Sequence, residues 1–147
     1  MISDAPINPV DLLDAFSRQA DGAGAIASLI GLVRSEAGAV HELWLDHHPR
    51  LTEAAVAKIG EDACSRFDAL AVHITHRVGK VKAGEPIVFV AAAARHRRAA
   101  FDAVDYMMDR LKTDAPFWKR EDRVDGAVWI EAREADHADR ARWEVQS

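Results

Sequence analysis

Apolar and polar residues alternate along this chain with two periods, which predicts both helices and strands. Helices are predicted at about 9–20, 52–67, 95–111 and, weakly, 136–143. Strands are predicted at 25–33, 40–45, 70–78, 86–94, 117–124 and 127–132. Asp125-Gly126, between the last two strands, is typical of a two-residue hairpin turn. The mixture predicts an α+β fold with a largely antiparallel sheet, and 147 residues fit a single domain, 1–147.

Three local expectations follow from the same pattern. The run 25–33 is apolar enough to be a buried strand. Thr52 or a neighbour should cap the helix that follows it. The longest helix, 95–111, should bury an apolar stripe formed by Phe101, Val104, Met108 and Leu111.

Charge and cysteine content exclude several classes of protein. The 19 basic residues against 24 acidic ones give a net charge of −5, so general binding of nucleic acid over the surface is not expected. Any anion site must be a local cluster of cations. Cys64 is the only cysteine, which excludes an internal disulfide and a cysteine-based zinc site. With no signal peptide and no apolar run of about 20 residues, we expect a cytoplasmic protein without a membrane partner.

Two lysines flank a forced break between a helix and a strand. Pro116 cannot continue the helix 95–111, so Lys112 ends one element and Lys119 begins the next. Two ammonium groups held this way can converge on one anionic ligand. Lys112 lies beside the expected apolar stripe, and partial desolvation there would lower its pKa. The alternative is that both lysines extend into solvent.

A second cationic cluster, Arg95-His96-Arg97-Arg98, lies where a strand turns into the long helix. A helix N-terminus already carries unpaired N–H groups and partial positive charge, so added cations there favour an anion site. The alternative is that they point into solvent at a small cost in free energy. Arg34, directly after the strand 25–33, is a weaker candidate for phosphate. Arg133, after the hairpin, is weaker still.

Metal and standard nucleotide chemistry find no support in the sequence. In a strand, the side chains of His73 and His76 point to opposite faces, and adjacent His47 and His48 also diverge. We therefore expect no metal site. The chain also lacks the glycine-rich phosphate loops and the serine-hydrolase motif.

Several short motifs resemble, in order and spacing, those of one known family. They are Gly24-Ala25-Ile26 with Gly31-Leu32-Val33-Arg34, Leu45-Asp46-His47-His48-Pro49, His76-Arg77-Val78-Gly79, His96-Arg97 with Ala100-Phe101, and Leu111-Lys112 with Ala115-Pro116-Phe117-Trp118-Lys119 and Glu121. The last two are the most specific. From about Gly22 to Arg133, the chain is similar to the large, catalytic subunit of molybdopterin synthase.

This resemblance implies an α/β hammerhead fold and a homodimer at the centre of a heterotetramer. Each large subunit would bind one small, ubiquitin-like sulfur-carrier subunit whose C-terminal Gly-Gly bears a thiocarboxylate. The implied reaction transfers sulfur twice to cyclic pyranopterin monophosphate and forms the dithiolene of molybdopterin, in molybdenum cofactor biosynthesis. No metal or organic cofactor is implied, because the partner supplies the sulfur.

The resemblance also implies roles for individual residues. Lys119 and Lys112 match the catalytic positions, with Lys119 the leading candidate to assist sulfur attack and breakdown of the tethered intermediate. The matched substrate-binding residues are Arg34, His96, Arg97 and Arg133, the last at a position that the family offers to the pocket of the dimer mate. The chain departs from the family in a short loop between Arg34 and Val40 and at Leu29, His48 and Leu51.

Two other functions remain open from the residues themselves. One is a non-catalytic dimeric scaffold that captures a carboxylate-terminated peptide through the same cations. The other is an enzyme acting on a small phosphorylated metabolite without a protein partner. Formation of dithiolene product only in the presence of the thiocarboxylated small subunit would separate the synthase from both.

Overall fold

The computed structural model describes residues 1–35, 40–123 and 126–144. Its helices are α1 (Pro9–Arg18), α2 (Pro49–Phe67), α3 (Arg97–Thr113) and α4 (Glu134–Ala141). Its strands are β1 (Ile2–Ser3), β2 (Ala25–Leu32), β3 (Val40–His47), β4 (Ala71–Arg77), β5 (Gly79–Lys82), β6 (Pro86–Ala94), β7 (Phe117–Arg123) and β8 (Gly126–Ile130). Among these residues no helix is both long and apolar enough to cross a membrane.

The first sheet has the strand order β1-β4-β6-β2 and is antiparallel except where the short β1 pairs with β4. Its central strand β6 is buried, and it ends in four alanines, 91–94. Helix α3 packs on one side of this sheet, and α1 packs near β6 on the other side. Since α3 follows β6 after two residues, it runs back across the sheet in the opposite direction.

The second sheet has the order β5-β3-β7-β8 and is antiparallel throughout. On its inner face, Leu45 of β3 packs with Val81 and with Val33, the residue that follows β2. The hairpin of β7 and β8 is as predicted, although Asp125 of its turn lies outside the described residues. The prediction of a mixed α+β fold with largely antiparallel sheets is confirmed.

Strand β2 is not the buried strand that its apolar run predicts. It lies at the end of the strand order, so β6 is its only neighbour among the described strands. Four of its apolar side chains are exposed: Ile26, Leu29, Ile30 and Leu32. Apolar content alone could not distinguish a strand buried within its own chain from an exposed apolar strand at the edge of a sheet.

The predicted buried stripe of α3 is wrong at Phe101, which is 59% exposed. Val104 and Leu111 of the predicted stripe are buried, together with Ala100, Ala103, Tyr106 and Met107. The small alanine side chains let the helix axis lie close to the alanine-rich strand β6. With the alanines facing the sheet, Phe101 faces outward.

Helix α2 starts three residues before Thr52, with Pro49 at its first position. The ring nitrogen Nδ1 of His48 caps it by accepting the Leu51 N–H at 3.3 Å. Thr52 is fully buried, where its hydroxyl donates to the Pro116 carbonyl oxygen at 2.9 Å and accepts the His48 N–H at 3.2 Å. The threonine therefore ties the start of α2 to the proline break before β7.

Replacing that hydroxyl should destabilise the fold. Thr52→Val keeps the shape of the side chain but leaves two buried polar groups without this partner, at a cost of about 1–3 kcal/mol. Urea unfolding followed by circular dichroism measures the change. Ser17→Ala, which removes an exposed hydroxyl bonded to Leu13, is the control and should cost less. Equal stability of Thr52→Val and the wild type would contradict this role.

Candidate active site

The two predicted lysines lie together with an acidic and a basic residue from the C-terminal region. Lys119 stands in β7 opposite Leu45 of β3, so its side chain leaves the sheet on the inner face. Lys112, in the last turn of α3, places its ammonium 3.2 Å from the Asp136 carboxylate. The backbone N–H of Arg133 donates to the same carboxylate at 3.0 Å. We call Lys112, Lys119 and Arg133 the lysine group.

Burial lowers the pKa of Lys119 below its ordinary value, and the positive charges of Lys112 and Arg133 lower it further. The negative charge of Asp136 opposes these effects. Burial alone would raise the pKa of Asp136, but the hydrogen bonds from Arg133 and Lys112 lower it. The carboxylate therefore stays ionised while Lys119 gives up its proton more readily than a solvated lysine.

The desolvated lysine is Lys119, whereas the sequence suggested Lys112. Lys112 is exposed and balanced by its ion pair with Asp136. The reason is geometric: Lys112 lies on the outer side of the last helical turn, while Lys119 projects from the inner face of β7. Helical spacing alone could not reveal which side of that turn faces the second sheet.

His76 is a neighbour of this group that sequence reasoning did not assign. It is buried, and its ring stacks on Phe117 with the ring centres 4.1 Å apart. Phe117 and Lys119 share the inner face of β7, two residues apart. Burial lowers the pKa of His76 to about 4, and the charge of Lys119 lowers it further. Nδ1–H donates to the Arg77 carbonyl at 2.8 Å, which opposes this lowering but does not outweigh burial, so the ring is neutral at physiological pH.

His96 and Arg97 form a second cationic site at the other end of α3. His96 occupies the N-cap position without a side-chain cap, so the first helical N–H groups have no acceptor from it. A cavity of about 420 Å³ lies here. Its lining residues are Gly24, Ala25, Arg95, His96, Arg97 and Arg98. Such a pocket suits a phosphate or another small anion.

Gly24 is required for the shape of this cavity. Its N–H donates to the Ala94 carbonyl at 3.0 Å, which brings its Cα against the turn into α3. A Cβ added there would overlap the Arg95 carbonyl oxygen. The glycine thus permits the close approach that holds the basic turn beside the start of β2.

Arg34 belongs to the lysine end of the molecule. It is exposed and follows Val33, whose N–H donates to the Glu85 carbonyl at 3.1 Å. Val33 packs against Leu45, the ladder partner of Lys119. Residues 36–39 of the polar loop after Arg34 lie outside the described part of the chain.

The six predicted site residues are therefore divided between two ends of one chain. Arg34, Lys112, Lys119 and Arg133 lie at one end, and His96 and Arg97 lie at the other. Fifteen residues separate Arg97 from Lys112 along α3, which corresponds to about 22 Å at 1.5 Å per helical residue. The lining of the 420 Å³ cavity includes none of the lysine group.

The remaining candidates for site chemistry lie apart from these cations. No group of three or more metal-binding side chains occurs in the residues that the structure describes. Cys64 is half-buried and lines a larger, mainly apolar cavity of about 850 Å³ between α2 and β4. Burial raises the pKa of its thiol. His73 packs against Phe16 and Phe89, on the opposite face of β4 from His76.

The fold and the paired basic sites define a class of small α+β enzymes that handle anions, and comparison with known proteins identifies the family. The family model described as MoaE protein matches residues 2–114. The molybdopterin synthase catalytic subunit of Caulobacter vibrioides is 47% identical over 146 residues, which cover 99% of this chain and 97% of that protein.

Solved structures agree with this match. The molybdopterin biosynthesis MoaE protein of Burkholderia ambifaria is 39% identical and superposes with a TM-score of 0.83, covering 99% of this chain and 97% of that one. A complex of subunits 1 and 2 of the molybdopterin-converting factor from Helicobacter pylori shares the fold, with a TM-score of 0.77 at 21% identity over 90% of each chain. The chain belongs to the MoaE family, the catalytic subunits of molybdopterin synthase, which act in molybdenum cofactor biosynthesis.

Asp136 should set the protonation of Lys119. Its negative charge raises the pKa of Lys119, so Asp136→Asn should lower that pKa further and shift the titration of the amine to lower pH. The rate at which a trace amine-acylating reagent labels Lys119, followed by mass spectrometry across pH, measures this. Asp139→Asn, on the same helix, is the control. A titration that stays in place or moves to higher pH would contradict the assignment.

Proposed function

We propose that this chain catalyses sulfur transfer to cyclic pyranopterin monophosphate from the C-terminal thiocarboxylate of a small, ubiquitin-like subunit. The observation that carries the proposal is the half-buried Lys119, with its lowered pKa, beside Lys112 and Arg133 in a protein of net charge −5. Both reactants are anions, and a desolvated cationic group favours the charge that develops when they react. Membership in the MoaE family supports the same reaction, and the cytoplasm remains the predicted location.

In this proposal the thiocarboxylate sulfur attacks an oxygen-bearing carbon of the pterin substrate. The new C–S bond joins the two through a thioester, while a C–O bond at that carbon breaks and the displaced oxygen takes up a proton. Water then cleaves the thioester, leaving sulfur on the pterin and a carboxylate on the small subunit. A second small subunit repeats the process. Lys119, with its lowered pKa, moves protons in these steps. Lys112 stabilises negative charge on the thiocarboxylate carbonyl, and His96, Arg97 and Arg34 hold the phosphate and pterin.

The separation of the cations supports a site shared between two copies. Strand β2 runs from Gly24, beside the His96–Arg97 cavity, to Arg34, at the lysine end. Its exposed apolar edge suits pairing with a second β2. Antiparallel pairing about a two-fold axis places the Gly24 end of one copy against the Arg34 end of the other. His96 and Arg97 of one copy then face the lysine group of its mate, and the homodimer forms the centre of the expected heterotetramer.

The partner subunit is proposed on the same grounds. The complex from Helicobacter pylori contains subunits 1 and 2 of the molybdopterin-converting factor. The present chain brings Lys112, Lys119 and Arg133 together but offers no sulfur donor beside them, since Cys64, its single cysteine, lines the separate cavity between α2 and β4. A separate protein carrying an activated sulfur fills that role.

Lys119→Ala should abolish most product formation. Turnover should fall about 100-fold or more, the range that a positioned proton-transfer group contributes. The assay mixes the pterin substrate with the thiocarboxylated small subunit and measures dithiolene product. Lys58→Ala, at an exposed lysine on α2, is the control and should keep normal turnover. Near-normal turnover of Lys119→Ala would overturn the assignment.

Mixing two inactive variants tests the shared site. Lys119→Ala and Arg97→Ala are each expected to be nearly inactive alone. After subunit exchange, half of the dimers are mixed, and each holds one intact site of two, so about one quarter of the wild-type rate should return. If each chain formed its own complete site, every site would carry one substitution and no activity would return.

A further inference from the structure

The last helix, α4, has no core of its own. It spans eight residues, and none of them is buried. An isolated helix of this length is marginal in water, so α4 needs contacts outside itself to persist. Yet its first turn carries Asp136, which pairs with Lys112 and opposes the positive charges around Lys119. Whatever fixes α4 therefore also fixes the charge balance of the lysine group.

The anchor of α4 is Trp143, which lies two residues beyond Ala141, the end of the helix. Its side chain is buried, although the helix before it is not. The indole meets the rings of Phe67, the last residue of α2, and Tyr106 of α3 edge to face, with ring centres 5.4 and 5.6 Å apart. The ring thereby ties the C-terminal end of α4 to both long helices.

Polar contacts hold this ring in one position. The indole Nε1–H donates to Asp109 Oδ2 at 2.7 Å, and the Arg142 guanidinium donates to the same oxygen at 2.8 Å. The Arg66 guanidinium lies 5.9 Å from the centre of the Trp143 ring and donates to the Trp143 backbone carbonyl. A buried N–H group that loses its acceptor costs free energy, so the ring cannot easily turn. We call Arg66, Phe67, Tyr106 and Asp109 the socket of Trp143.

A second contact joins α4 to the end of α3. Arg140 donates to the carboxylate of Asp114 at 2.8 Å, and Arg110 of α3 donates to the same carboxylate. These side chains are partly exposed, and ion pairs near the surface contribute little to stability. The buried indole is therefore the principal contact that holds α4 in place.

We infer that Trp143 is a positioning residue for the chemistry of Lys119: seated in its socket, it holds α4 so that Asp136 stays against the lysine group. This inference rests on the proposed function, in which Lys119 moves protons. The tryptophan acts at a distance, because its ring contacts α2 and α3 while Asp136 lies at the other end of α4, beside the site.

The charged and titratable groups that face Lys119 show why this position matters. Lys112 comes from α3, His76 from β4, and Arg133 and Asp136 from the start of α4. Asp136 is the one acid among these four groups, and its charge opposes the lowering of the Lys119 pKa. Its bond from the Arg133 N–H is part of the cap of α4, so it is lost when the helix frays.

The test is whether Asp136 still acts on Lys119 when the tryptophan ring is gone. Labelling of Lys119 by a trace amine-acylating reagent, followed by mass spectrometry across pH, gives the midpoint of its titration. In the wild-type background, Asp136→Asn should move this midpoint to lower pH. In the Trp143→Ala background the same substitution should cause no shift, because α4 no longer holds residue 136 at the site. Such a double-mutant cycle isolates the coupling between two residues.

Two further backgrounds show that the effect belongs to the seated ring. Trp143→Phe keeps an aromatic ring in the socket and should restore most of the shift caused by Asp136→Asn. Phe16→Ala removes a buried ring on the opposite side of the first sheet, so it is the matched control for a general loss of stability. In that background the full shift should remain.

A shift of equal size with and without the Trp143 ring would overturn the inference. If circular dichroism finds Trp143→Ala unfolded, Asp109→Ala takes its place, since it keeps the ring but removes the acceptor of its N–H. The shift should then be smaller than in the wild type, and a full shift would count against the positioning role. Near-normal turnover of Lys119→Ala would overturn the proposed function but leave this coupling in place, so the two failures are distinct.

Discussion

The length of α3 is the constraint on which the arrangement of this molecule depends. The helix leaves the end of β6 and runs back across the sheet for 17 residues, so it carries basic residues at both ends but cannot bring those ends together. The alanines at the end of β6 let it lie close to the sheet, which fixes its direction. One chain therefore presents two separate basic clusters, and an exposed strand, β2, runs between them.

The burial of Lys119 is the main electrostatic cost at the site. Holding a half-buried cation beside other cations costs free energy unless an opposite charge compensates it. Asp136 supplies that charge from α4, a helix that packs against α3. It also holds Lys112 by an ion pair and Arg133 through its backbone. The last helix of the fold thus acts on the chemistry without itself offering a reacting group.

The sequence was sufficient for the fold class, for most elements and for the approach of Lys112 to Lys119 across the Pro116 break, because strand and helix periods and a proline break are local features. It could not reveal which apolar surfaces are covered. The sequence predicts Phe101 and the apolar side chains of β2 as core residues, yet Phe101 and most of the apolar side chains of β2 are exposed. The burial of a side chain depends on neighbours that are distant in the chain. The same limit applies to charge. The sequence suggested Lys112 as the desolvated lysine, whereas the structure places Lys119 on the inner face of the second sheet. The sequence also gave no sign that His76 lies near Lys119.

The raised pKa of Cys64 has a consequence for sulfur chemistry in this protein. Only a thiolate attacks an electrophilic sulfur or carbon centre readily, and burial between α2 and β4 keeps this thiol protonated at neutral pH. In the proposed reaction the sulfur comes from a separate subunit, and the protonated thiol of Cys64, the single cysteine, stays out of thiol exchange. An alkylating reagent applied at neutral pH should therefore mark the sulfur of the proposed donor before it marks Cys64.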